Sequence, residues 1–152
     1  MSTQSVLAIA AHPDDIEFVM AGTLLQLSER GWQVHYFNIA NGCYGSQSLE
    51  PAQCSALRLS EAQAAAALIP ATFYPPISDD MEILYTPQLL RQVAAVIRQA
   101  QPQIVLTHAP LDYMEDHQNA ARLAVSAAFT RGMPGFVTSP PPASSSPRCS
   151  RG

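Results

Sequence analysis

Residues 5–17 read SVLAIAAHPDDIE. From Val6 to Ala11 there is no polar side chain. A strand with one wet face would alternate, whereas a parallel strand covered on both faces gives a continuous apolar run. A histidine, a proline and two adjacent aspartates follow at once. The charges of Asp14 and Asp15 repel, so a fold gains nothing by crowding them unless something positive lies beside or between them. The positive end of a helix starting there is one such partner. A bound cation is another.

On either side of this stretch, strand and helix patterns alternate. From Asp15 to Arg30, Phe18, Val19, Leu24, Leu25 and Leu27 fall roughly on one helical face, and Gly31 provides a stop. WQVHYFNIA (32–40) has the alternation and aromatic content of a second strand. After the loop NGCYGSQSLEP, an alanine-rich helix is expected within Pro51–Ile69, then a short strand in ATFYP. Pro87 opens a helix within 86–102, with Leu89, Leu90, Val93, Val96 and Ile97 at helical spacing. QIVLTHA (103–109) is a fourth strand, and a last helix runs from about Asp116 to Thr130. Beyond it the chain turns Pro/Ser-rich, so residues 1–137 are expected to form one domain and 138–152 a disordered tail. Regular alternation argues for a doubly wound α/β sheet, whose ligands bind beyond the carboxyl ends of the strands.

Composition narrows the function classes. The chain has 152 residues, 47% of them hydrophobic, which suits a single domain with a real core. A net charge of −4 with eight Lys+Arg leaves no basic stripe for nucleic acid, and small neutral substrates fit better. No apolar run approaches the roughly 20 residues of a membrane span, and the N-terminus has no basic leader, so a cytoplasmic protein is expected. Cys43, Cys54 and Cys149 form no CxxC pair and read as incidental thiols. GxGxxG and GxxxxGK[ST] are both absent, which weighs against a nucleotide-binding module. Self-association is left open.

Two polar clusters sit at strand ends, AHPDD after the first strand and THAPLDYMEDH (107–117) after the fourth. His12, Asp15 and His117 supply two imidazoles and a carboxylate, a set suited to Zn²⁺ or Fe²⁺ with a position left open for water. A divalent cation there would lower the pKa of its water to ~7. Asp14, beside that water, is then the candidate general base. The bland readings are that Asp14 and Asp15 merely begin a helix, that His35 is structural, that Glu17 is a first-turn residue, and that Arg58 only pairs with Glu61 three residues on.

AHPDDIE together with DYMEDH resembles the PIG-L/LmbE-like N-deacetylases, a family of zinc-dependent hydrolases on a Rossmann-like α/β fold. The resemblance spans residues 5 to about 137. It implies a three-layer sandwich with a mostly parallel sheet, metal ligands at His12, Asp15 and His117, a general base at Asp14, and an N-acetylated sugar such as N-acetylglucosamine as substrate. RLSEAQAAAALI resembles the family's R-x-x-E helix, which places Arg58 near the substrate. His108, Asp112 and Asp116 are further candidates for contacting substrate or orienting the ligands. Where many members carry a histidine three residues before the second metal histidine, this chain has Met114, whose thioether donates no hydrogen bond. Either the metal and another donor, His108 or Tyr113, carry the oxyanion, or turnover is slow or directed at another substrate. Members usually continue further, so a chain truncated on its C-terminal side is expected. The alternative is a remnant that binds metal or sugar without turnover.

Overall fold

The computed structural model describes residues 4–138 and 140. β1 (Ser5–Ala10) leads through α1 (Asp15–Val19) and α2 (Ala21–Glu29) to β2 (Gln33–Asn38). Then come α3 (Pro51–Leu68), β3 (Thr72–Tyr74), α4 (Pro87–Ala100), β4 (Ile104–Leu106) and α5 (Glu115–Thr130). The four strands form one sheet in the order β3-β2-β1-β4, and every pairing is parallel. Val6 lies level with Val34 on one side and Ile104 on the other. The three-layer, parallel α/β architecture expected from the sequence is thus the one observed.

The continuous apolar run of β1 is explained by its place in the middle of the sheet. Leu7 and Ile9 project to one face, where they join Val93 and Ile97 of α4 and Leu123 and Ala124 of α5. Val6, Ala8 and Ala10 project to the other, against Ile16, Leu24 and the α3 alanines Ala62 and Ala66. All five of these side chains are fully buried. At roughly 25 cal/mol per Å² of apolar surface, a strand apolar on both faces is stable only with helices on both sides. The N-terminus of α4 is closed by Thr86, whose side chain accepts the Leu89 N–H at 3.1 Å, followed by Pro87.

Two expectations are corrected. The single helix expected over 15–30 is two, because the backbone leaves the helical region at Met20 (φ −124°, ψ −21°). The buried row therefore runs Ile16, Met20, Leu24, while Phe18 and Val19, expected inside, are 83% and 68% exposed. The fourth strand stops at Leu106, because Thr107, His108 and Ala109 turn away from the sheet to build the site. The expected tail over 138–152 lies, apart from residues 138 and 140, outside the described residues. Among the described residues no helix is long and apolar enough to cross a membrane.

His35 is buried in β2, with Nδ1 3.2 Å from the Tyr74 hydroxyl and Nε2 without a partner. Burial lowers its pKa from the ordinary 6.5. The unfolded chain then binds the extra proton, so the stability tied to neutral His35 is present above about pH 6.5 and is lost as pH falls below it. Urea melts at pH 5 and pH 7.5 should show wild type losing more stability on acidification than His35→Leu. Equal losses would contradict the burial account.

Candidate metal centre

Two loops at the carboxyl edge of the sheet meet over the end of β1. The first carries His12 to Asp15 and the second delivers His108, Asp112 and the start of α5. The Asp15 carboxylate lies at their junction. Its Oδ2 accepts the backbone N–H of His12 at 2.8 Å and stands 3.6 Å from His12 Nδ1 and 3.4 Å from His108 Nε2. Its Oδ1 is 3.3 Å from His117 Nε2. His12, Asp15 and His117 each bring one donor atom, all within 4.8 Å of one another, which is the make-up of a small divalent-cation site.

The outer nitrogens of both rings are held by further carboxylates. His12 Nε2 is 2.8 Å from Asp116 Oδ2, and His117 Nδ1 is 3.2 Å from Asp112 Oδ1. A carboxylate behind each imidazole fixes the tautomer, turning His12 Nδ1 and His117 Nε2 toward Asp15. Asp116 also accepts the Met81 N–H at 2.7 Å, and so ties the loop after β3 into the site. The ring of His108 stacks on His117 at 4.0 Å, with its Nε2 accepting the Ala11 N–H at 3.0 Å.

Burial favours the neutral form of His12, yet hydrogen bonds to Asp15 and Asp116 and the charges of Asp15 and Asp80 outweigh it and raise its pKa to about 9. Burial alone would likewise raise the Asp15 carboxyl. The neighbouring imidazoles of His108 and His12, the His12 backbone N–H and the charge of His117 instead hold it well below the ordinary carboxylate range. An imidazole held protonated in this way would have to give up its proton to ligate a cation.

Asp14 has other partners. It sits at φ +98°, a left-handed backbone that non-glycine residues seldom adopt, and its side chain is 48% exposed on the wall of a cavity of about 420 Å³. Arg58 of α3 reaches across to it. One guanidinium nitrogen donates to both Pro13 O and Asp14 Oδ2 at 2.5 Å, and another to Glu61 at 2.7 Å. Arg58 therefore makes both the pairing with Glu61 and a contact at the site. Tyr113 and Met114 line the far wall of the cavity, with the Tyr113 ring edge-on to His117 at 5.8 Å.

Sequence reading missed Asp80 and the loop it holds. Asp80 is buried, and its carboxylate accepts the N–H groups of Gly42 at 2.7 Å and Tyr44 at 3.0 Å. Its neighbour Asp79 accepts from the Asn41 side chain. A signal was available: Asp79 and Asp80 are a second pair of adjacent carboxylates shortly after a parallel strand.

A parallel α/β domain with two imidazoles and a carboxylate converging at the mouth of its central strands has the character of a metal-binding enzyme domain. The family described as PIG-L: GlcNAc-PI de-N-acetylase matches residues 7–128, and the chain belongs to that family. It is 30% identical over 139 residues to the diacetylchitobiose deacetylase of Thermococcus kodakarensis, covering 88% of this chain and 52% of that protein. Among solved structures, the N,N′-diacetylchitobiose deacetylase of Pyrococcus horikoshii superposes with a TM-score of 0.81 at 28% identity, covering 89% of this chain and 53% of the other. The 4-carboxy-2-hydroxymuconate hydratase of Pseudomonas putida gives 0.80 at 25%, covering 91% and 63%. The chain spans about half to three fifths of the length of these relatives.

Replacing Asp80 by Leu should leave two backbone donors inside the protein without acceptors. A loss of about 2 kcal/mol or more is expected in chemical denaturation, with a smaller loss for Asp80→Asn, which keeps one acceptor oxygen. Unchanged stability in Asp80→Leu would show that the loop does not depend on this carboxylate.

Proposed function

We propose that this site hydrolyses the amide of an N-acetylated amino sugar or a related small conjugate, releasing acetate and a free amine. The observation that carries the reading is that the adjacent aspartates on one cavity have different partners: Asp15 lies against the imidazoles, while Asp14 is paired with Arg58. His12, Asp15 and His117 would hold the cation, with Zn²⁺ the first choice and Fe²⁺ compatible with the same donors. When bound, it would supply an acidified water and polarise the carbonyl to be attacked.

The remaining work belongs to the chain. An Asp14 carboxylate oxygen takes a proton from the attacking water as the new C–O bond forms. The same proton goes to the nitrogen as the C–N bond breaks, so the amine leaves neutral. Asp116 and Asp112 keep the ligand rings in register. Arg58 and Tyr44 line the cavity that receives the sugar. The site belongs to the proposed domain of residues 1–137, which the sequence reading takes to be incomplete on its C-terminal side.

Purified protein should hold about one Zn²⁺ per chain and release acetate from N-acetylglucosamine or diacetylchitobiose. Asp14→Asn should keep the metal and lose about 10²–10⁴-fold in rate, the usual contribution of a general base. His12→Ala and His117→Ala should lose the metal. The hydratase relative is as similar in fold, so assaying water addition to an unsaturated tricarboxylate beside acetate release separates the two chemistries. Hydration without deacetylation would sink the proposed reaction.

A further inference from the structure

The outer side of α5 borders another cavity, of about 370 Å³, which shares no lining residue with the one at the metal centre. Small-molecule sites span roughly 300–1,000 Å³, so this hollow is large enough to hold a ligand. The helix pattern explains its position. Ala120, Leu123, Ala124 and Ala127 face the core, and the next stripe round the helix, Ala121, Arg122, Val125 and Ser126, is left to face the hollow. Tyr85, just before α4, and Pro110, after β4, supply further apolar wall.

Arg122 is the one permanently charged side chain of this lining. Its guanidinium lies over the Tyr85 ring, 4.9 Å from the centroid. Arg30, Arg58, Arg91, Arg98 and Arg131 each donate to a carbonyl or carboxylate oxygen. Among the described residues Arg122 has no such acceptor, and no carboxylate lines the hollow beside it. Ser126, one turn further along α5, accepts the Tyr85 hydroxyl proton at 2.9 Å, which leaves its own O–H without an acceptor among the described residues. Residues four apart lie one above the other on a helix, so both sets of donors stand on one face beside an apolar wall.

From this arrangement we infer that the α5 cavity is a second binding site, whose ligand is a small aromatic acid. The flat ring lies against Pro110, Ala121 and Val125, and the carboxylate is held by the Arg122 guanidinium and the Ser126 hydroxyl. The planar guanidinium matches both oxygens of a carboxylate, and stacking on Tyr85 fixes its plane in advance. The net charge of −4 does not oppose this, because charges more than about 8–10 Å away are screened at physiological salt. The inference is independent of the reaction proposed above. The two sites meet at one ring: His108 lines the α5 cavity and stacks on His117.

Naphthoate, with naphthamide as an uncharged probe of the same shape, tests the assignment on the zinc-loaded full chain. Binding is followed by calorimetry and by the ring signals of the four histidines in NMR spectra. Naphthoate should fill a single site about 10- to 100-fold more tightly than naphthamide, the difference a charge-assisted hydrogen bond makes. It should shift the ring signals of His108 and leave those of His35, buried in β2, in place. Arg122→Gln should weaken naphthoate by about the same factor and leave naphthamide unaffected, because it removes the charge and keeps the hollow. Val125→Glu, at an exposed position, should also weaken naphthoate, since it gives Arg122 a carboxylate three residues along the helix. Neither variant should change the zinc content. Failure of naphthoate to saturate, or equal affinity for the two probes, would overturn the inference. Naphthoate binding that survives Arg122→Gln, with shifts at His12 and His117 instead of His108, would place the acid on the metal centre and overturn it too.

Discussion

A carboxylate at the mouth of a buried parallel strand has lost much of its water and must find partners in the protein, and Asp15 draws them from distant parts of the chain. The His12 amide and ring come from its own turn, while His108 and His117 arrive from the segment after β4. No local structure brings residues 12–15 beside residues 108–117. The parallel pairing of β1 with β4 does, because it puts the carboxyl ends of both strands on one edge of the sheet. The apolar run of β1 and the polar cluster after it are therefore two ends of one device: a rigid, doubly covered strand whose exit is a fixed point in space. Groups supported in this way lose little in reorganisation when a cation or substrate arrives.

Around that fixed point the charges are ordered in shells. Asp15 lies at the centre, the imidazoles surround it, and Asp112 and Asp116 stand behind them. Asp14 belongs to a different circuit. It is held by Arg58 on the wall of the cavity that His12, Asp15 and His117 also line. The repulsion between two adjacent carboxylates is thereby resolved by giving each its own positive partners. The same solution recurs after β3, where Asp79 takes the Asn41 side chain and Asp80 takes the backbone of the Gly42 loop.

Much of this was legible before any coordinates. The β1 run, the strand and helix alternation, HPDD and EDH are local patterns, and burial, helix period and ligand chemistry read them directly. What escaped depends on which loops the topology brings together. Nothing near Gly42 in sequence announces that Arg58 will lie across it, and no local pattern marks the break at Met20. His108 is a polar residue at a strand end whose part in the site could be suspected from sequence. Only the fold shows that its Nε2 is occupied by the Ala11 amide. Asp116 was expected to orient His117 or a neighbour, and in space it serves His12, because the next residue along a helix points elsewhere.

Crystals grown with Zn²⁺ and measured at the zinc absorption edge would test the central claim most directly. The account predicts a single strong anomalous peak about 2.0–2.2 Å from His12 Nδ1, an Asp15 oxygen and His117 Nε2, with Asp14 outside the coordination shell and still bound to Arg58. A peak among His108, Asp112 and His117, the other set of donors close enough to hold an ion, would contradict it, as would direct ligation by Asp14.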